Sequence, residues 1–178
     1  MVGSICKRRV GFFAVGALIS AGVVARGSGA GQEVPAQLKV PEGQTLAAEA
    51  HAKGFQVYTC KDDGKGFNWT LKGPEAELFD KAGKKVGRHF AGPTWEWSDK
   101  SQVTGKMMTS SPSPDADSIA WLLLMATGHS GEGVLANVTN IQRLHTKGGK
   151  APATGCDAAH AGQETRAAYE ADYFFYGK

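Results

Sequence analysis

From Gly54 to Met108 the chain meets a turn signal roughly every eight to twelve residues, and the stretches between turns alternate apolar with polar side chains. Alternation with period two suits a half-buried strand and cannot form one apolar face on a helix. Gly54–Cys60 puts Phe55, Val57 and Thr59 on one side and Tyr58 and Cys60 on the other, while Phe67, Trp69 and Leu71 share a face of Phe67–Leu71. Glu77–Asp80 and Val86–Phe90 flank Ala82-Gly83-Lys84 as a hairpin with Gly83 at its bend. Trp95-Glu96-Trp97, the turn Asp99-Lys100-Ser101 and the strand Gln102–Met108 follow. Short strands at this spacing predict a mainly β, single-domain antiparallel β-sandwich or barrel with at most one or two short helices.

The rest of the chain extends the same reading. Ser110–Ser118 carries two prolines and no large apolar residue, so it is a surface loop, with a lid over a site as the sharper alternative. Ile119–Ala126 is the most apolar stretch beyond residue 30, read as a central strand covered on both faces or a buried helical turn. Gly133–Thr146 reads as one long strand bent near Asn140, and Tyr169, Ala171, Tyr173 and Phe175 share one face of a terminal aromatic strand. Leu46–Lys53 is the one good helix candidate, stopped by Gly54.

Composition matters once the N-terminus is set apart. Lys7, Arg8 and Arg9 precede an uncharged run from Val10 to Ala25, the layout of a signal peptide over residues 1–25, with small residues allowing cleavage after Ala25 or Ala30. The run is short for a membrane span of about twenty residues. This predicts export by the general secretion route to a periplasmic or extracellular location; the adjacent Arg8-Arg9 also admit the twin-arginine route, although Lys7 and Gly11 depart from its pattern. Four of the 20 Lys+Arg and none of the 17 Asp+Glu lie in residues 1–30, which leaves 16 against 17 from Gly31 onward. The basicity therefore belongs to the signal, and nothing in residues 31–178 suggests nucleic acid or stable insertion in a membrane. Cys6 precedes the apolar run, so the exported domain retains Cys60 and Cys156; in an oxidising compartment these allow one intramolecular pairing, the alternative being two buried thiols. Asn68-Trp69-Thr70 and Asn137-Val138-Thr139 match the N-glycosylation pattern, a common chance match.

Motif chemistry is sparse. Gly128-His129-Ser130-Gly131-Glu132-Gly133 runs in the reverse order to a dinucleotide fingerprint, and the glycine after Ser130 falls one position short of a nucleophile elbow. It is read as a glycine-rich hairpin loop. No histidine pair has metal-ligand spacing, so no metal and no cofactor are expected. His89, Trp95, Glu96, His129 and Asp157, at strand ends or beside turns, are the candidate ligand or acid–base residues, with Gly92–Glu96 the favoured place for a small or polymeric ligand. Trp95 and Trp97 share a strand face and serve either as core or as a stacking surface. Two function classes stay open: a non-catalytic ligand-binding or cell-surface β-domain, and a secreted enzyme, hydrolytic or metal-assisted, whose site converges only in the fold. A small outer-membrane barrel is disfavoured, because the strands look shorter than about nine to eleven residues and the chain ends in Lys178.

Leu38-Lys39-Val40-Pro41, Gln56–Cys60, Gly92–Glu96, Trp121–Leu124, Ile141-Gln142-Arg143, Gly148–Pro152, Gly155-Cys156-Asp157 and Tyr173–Tyr176 occur in series. In these the chain resembles a family of small exported proteins of bacteria and fungi known as a domain of unknown function, with Gly-Cys-Asp its most specific mark. The resemblance implies that the two cysteines are paired features of the family, and it implies no activity. Fungal members are sometimes labelled malate dehydrogenase, a label the residues here do not support.

Overall fold

The computed structural model describes residues 1–3 and 33–178. The signal-peptide reading and Cys6 therefore fall outside the described residues, apart from the first three positions. Residues 33–178 form one compact unit built on a closed antiparallel barrel, whose eight strands follow one another around the ring in sequence order. They are β1 (Thr45–Asp62), β2 (Phe67–Phe79), β3 (Lys85–Phe90), β4 (Thr94–Trp97), β5 (Gln102–Ser111), β6 (Trp121–Ser130), β7 (Val138–Gly148) and β8 (Glu164–Gly177). Two 3₁₀ turns, Ala36–Leu38 and Ala158–His160, are the only helical pieces among the described residues. β8 returns to pair with β1 over the run from Thr45↔Gly177 to Thr59↔Glu164, which leaves no free sheet edge.

Leu46–Lys53 is strand, not helix. Its residues are good helix formers, but Ala48, Ala50 and Ala52 recur with period two, and Glu49, His51 and Lys53 stand between them. The alanines turn inward opposite the aromatic row of β8, with Ala50 beside Tyr173, so small side chains meet large ones across the strand pair. Gly54 does not stop the element. It sits mid-strand, where a Cβ would lie 2.2 Å from the carbonyl oxygen of Glu75, so β1 and β2 approach closely only because this residue is glycine.

Strand lengths also depart from expectation, since β1, β2 and β8 run to 18, 13 and 14 residues. The segment from Gly133 enters the sheet only at Val138, because Gly131 and Gly133 turn with φ of 71° and 134°. The register shift between Val138 and Asn140 is the bend expected there. Gly83, with φ 77°, closes the β2–β3 hairpin through its N–H to Asp80.

Inward positions carry the core: Ala50 and Ala52, Leu78, Trp95, Val103, Leu124, Ile141, Tyr169, Tyr173 and Phe175 are all buried. A second cluster lies on the outside of the ring. There Leu38 of the N-terminal segment covers Trp121, Leu123 and Leu144, and its carbonyl accepts a 2.6 Å bond from Gln142. β6 is consequently buried on both faces, which explains its unbroken apolar run. The 112–120 loop is no free lid: Ser118 pairs with Gly149, and its hydroxyl accepts from the N–H of Gly148 at 2.8 Å. Cys60 and Cys156 form a disulfide that ties β1 to the segment before β8.

Candidate functional site

The five residues marked by sequence separate into four places. His89 and Trp95 come together inside the barrel. They are cross-strand neighbours whose rings stack at 4.2 Å with 6° between planes, and both meet Tyr173 edge-on. His89 Nδ1 donates to the Thr94 carbonyl at 2.9 Å. Burial pushes its pKa down to about 3, so the ring is neutral at physiological pH.

Glu96 points the other way, to the outer face. It accepts from Arg88 Nη2 at 3.0 Å and from Gln102 at 2.7 Å, and the Arg88 bond holds its carboxyl below the usual range. His129 donates to the Val138 carbonyl at 2.7 Å. Asp157 caps the Ala158–His160 turn and accepts from His160 Nδ1 at 2.6 Å, a bond that lowers its pKa. These five do not form one catalytic constellation, and among the described residues no three His, Cys, Asp or Glu side chains are placed to hold a metal ion.

One consequence concerns acid stability. The unfolded chain protonates His89 near the ordinary imidazole value, whereas the folded barrel resists protonation down to about pH 3. The depressed pKa therefore makes stability rise with pH across that window: it is fully present above about pH 6.5 and falls as pH drops toward 3. Ring resonances of His89 should show no titration between pH 7 and 4. A His89→Phe variant, which keeps an aromatic ring on Trp95, should flatten the dependence of unfolding free energy on pH over that range. An imidazole titrating near pH 6.5 would contradict the burial argument.

The structure places another feature on the outside of β7, β8, β1, β2 and β3. Side chains alternate across the sheet, so one register row of outward residues reads Lys147, Glu170, Lys53, Glu77, Arg88 and, on β4, Glu96. Each is the direct cross-strand neighbour of the next, and the charges alternate without a break. Two rows along the strands lies a second outward row, Ala168, Phe55, Glu75 and Phe90. Between them the sheet shows its backbone at the inward-facing row Gly148, Tyr169, Gly54, Ala76 and His89. Apart from Glu96, which lies beyond its end, these rows line an open trough of about 1060 Å³ that crosses the strands.

The aromatic wall is held in position by guanidinium groups. Arg166 lies 4.7 Å from the centroid of Phe55 and pairs with Glu75 at 2.6 Å, and Arg88 lies 4.9 Å from that of Phe90. On the charged wall Lys53 pairs with Glu170 at 3.6 Å, and Lys85 pairs with Glu77. Sequence alone could not assemble this trough, since five strands contribute to it and only the register aligns them. Phe55 and Phe90 carried a signal, as large apolar residues that strand alternation directs outward.

A third arrangement has no sequence motif. Asp172 on β8 accepts from His51 Nδ1 and from His145 Nδ1, each at 2.8 Å, and so links β1, β8 and β7 on the outer face. His145 reaches it through an irregularity between Leu144 and Lys147, adopting φ 49° where strand geometry would have turned it inward. Its position in sequence, flanked by ordinary strand residues, gives no hint of this.

No curated protein matches the chain, and no solved structure matches it. A family described as "Protein of unknown function (DUF3455)" matches residues 41–177, from the segment just before β1 to the end of β8. The chain belongs to that DUF3455 family.

Proposed function

We propose that this chain is an exported, non-catalytic binding protein whose outer trough holds an extended, uncharged polyhydroxyl ligand such as a glycan chain. The observation that carries the reading is the pairing of an aromatic wall with a wall of strictly alternating charge. Five cations and three carboxylates line the trough. Four of the cations are held in ion pairs, Lys53 with Glu170, Lys85 with Glu77, Arg166 with Glu75 and Arg88 with Glu96 beside it, so little net charge is left to select a polyanion or a polycation. What the row can bond along its length is a ligand whose every group both donates and accepts, and hydroxyls do that. Phe55, 39% exposed, offers an apolar ring to the flat face of such a ligand.

The packed interior supports the same reading. Trp95, Tyr173, Phe175 and Ile141 fill the barrel centre, so this is no open cup of the kind that encloses a large apolar ligand. The disulfide agrees with an oxidising, exported setting. β1, β2 and β8 are long enough to cross a bilayer, but charges in the middle of the outward rows favour a barrel surrounded by water over one embedded in lipid.

Affinity electrophoresis of the protein from its own host, through gels carrying soluble neutral polysaccharides, a sulfated polysaccharide or poly-lysine, tests the reading. Retardation by at least one neutral polymer is expected, with little change on adding salt. Phe55→Ala should weaken it about fivefold through loss of the stacking contact. Retardation by the charged polymers alone would overturn the proposal.

A further inference from the structure

Beyond Met1 the chain has three methionines, Met107, Met108 and Met125, and all are exposed, at 57%, 53% and 45%. Methionine is ordinarily among the more buried residue types, yet the buried residues of this barrel include none. All three stand on β5 and β6. Met125 on β6 is the direct neighbour of Lys106 on β5 and of Asn140 on β7. Met107 and Met108 lie at an irregularity of β5, where the pairing passes from Met107↔Leu124 to Thr109↔Leu123 and leaves one residue extra.

These methionines differ in what faces the sulfur. Asn140 precedes the core residue Ile141, so strand alternation turns it to the outer face of β7, where it is 6% exposed. Its Oδ1 accepts from Gln44 Nε2 at 2.7 Å. Its Nδ2 donates to the Leu124 carbonyl at 3.2 Å and to the Met108 sulfur at 3.6 Å. The Leu124 carbonyl can only accept, which fixes the amide the way round that places Nδ2 there. That nitrogen carries two N–H groups. One meets a carbonyl; the other meets a thioether, a weak acceptor, inside a residue shielded from water. A better acceptor at the position of the Met108 sulfur would therefore be stabilised. Among the described residues no donor reaches the sulfur of Met107 or of Met125.

We propose that Met108 is an oxidation site at which a hydroperoxide delivers oxygen to the sulfur and the Asn140 amide receives the new oxygen. A sulfur lone pair attacks the terminal oxygen of the peroxide; the S–O bond forms as the O–O bond breaks. The departing oxygen takes the proton of the transferred one and leaves as water or an alcohol. Sulfur is oxidised by two electrons and the peroxide is reduced by two. The sulfoxide oxygen is a strong acceptor, so the N–H that met a thioether gains a full hydrogen bond. Negative charge builds on the oxygen as it is transferred, so the same N–H favours the transition state over the resting thioether. Asn140 stands on one side of the sulfur, which makes the two lone pairs inequivalent and favours one sulfoxide epimer. The oxidised side chain ties β5 to β7 across β6. None of these residues lines the outer trough, so the site is independent of the ligand proposed there.

The test exposes protein purified from its own host to limiting hydrogen peroxide. Peptide mapping by tandem mass spectrometry follows sulfoxide at each methionine, with the epimers separated by chromatography. Met108 should be oxidised about fivefold faster than Met107, the worth of one neutral hydrogen bond, although Met107 is the more exposed. One epimer should dominate at Met108, with near-equal epimers at Met107 and Met125. Asn140→Asp keeps the shape, removes both N–H donors and should erase the rate preference and the epimer excess. The epimer ratio is read on the unaltered protein, so it does not depend on that variant folding. Oxidation in order of exposure with Met107 first, equal epimers at Met108, or a preference that survives Asn140→Asp would each overturn the proposal.

Discussion

Replacing both Cys60 and Cys156 by serine is expected to lower the stability of the barrel by about 4–5 kcal/mol in the chain-entropy treatment of disulfides. The size follows from sequence separation. The bond joins residues 96 apart, so the loop it closes in the unfolded chain spans most of the domain. The serine pair keeps the side chains small where Cys60 is 1% exposed and beside β8, so packing loss adds little. Denaturant unfolding of the oxidised, reduced and doubly substituted proteins measures the effect. The reduced and substituted forms should coincide, well below the oxidised one. Equal midpoints for all three would mean that the bond holds nothing the rest of the fold does not already hold.

Trp95→Ala should cost about 3–5 kcal/mol, the range for deleting a large buried aromatic side chain. The indole is 1% exposed and forms the centre of the aromatic group inside the barrel. It stacks on His89, meets Tyr173 and Phe175 edge-on at 5.3 and 6.1 Å, and fills space above Gly105, where a Cβ would approach its Cζ3 to 3.1 Å. The rings of His89, Tyr173 and Phe175 around it belong to strands of a closed barrel, which limits how far they can relax into the vacancy. Trp95→Phe should cost less than the alanine change. Urea unfolding at constant m-value separates the two, and a loss below about 1 kcal/mol for alanine would show that Trp95 is no core residue.

Much of this architecture was legible in the residues. Alternation and turns located β3 to β5, the Gly83 bend and the two ends of β2, which the structure joins into one strand. The apolar run from Ile119 admitted the strand covered on both faces that forms there. The cysteine count gave the bond that the barrel contains. What misled was Leu46–Lys53, where helix propensity and a following glycine outweighed a period-two alanine pattern whose meaning depends on the aromatic strand opposite. The sites were less legible for a related reason. His89 and Trp95 were marked as neighbours of a turn, and only cross-strand register shows that they stack in the core. The alternating row from Lys147 to Glu96 takes each residue from a different strand, so no stretch of sequence contains it.

Closure of the ring by β1 and β8 sets the order in which the molecule can form. The strand that emerges first from synthesis pairs with the one that emerges last, from Thr45 with Gly177 inward. Until β8 is available, β1 carries an open edge and the core lacks Tyr169, Tyr173 and Phe175. Contacts of such long range are slow to form, because loop closure must precede the gain from packing. An incomplete chain therefore has little native structure to hold it folded, and it stays threadable until its final strand has been delivered. Cys60 lies in that first strand and Cys156 just before the last, so the disulfide too can close only once nearly the whole domain has been made.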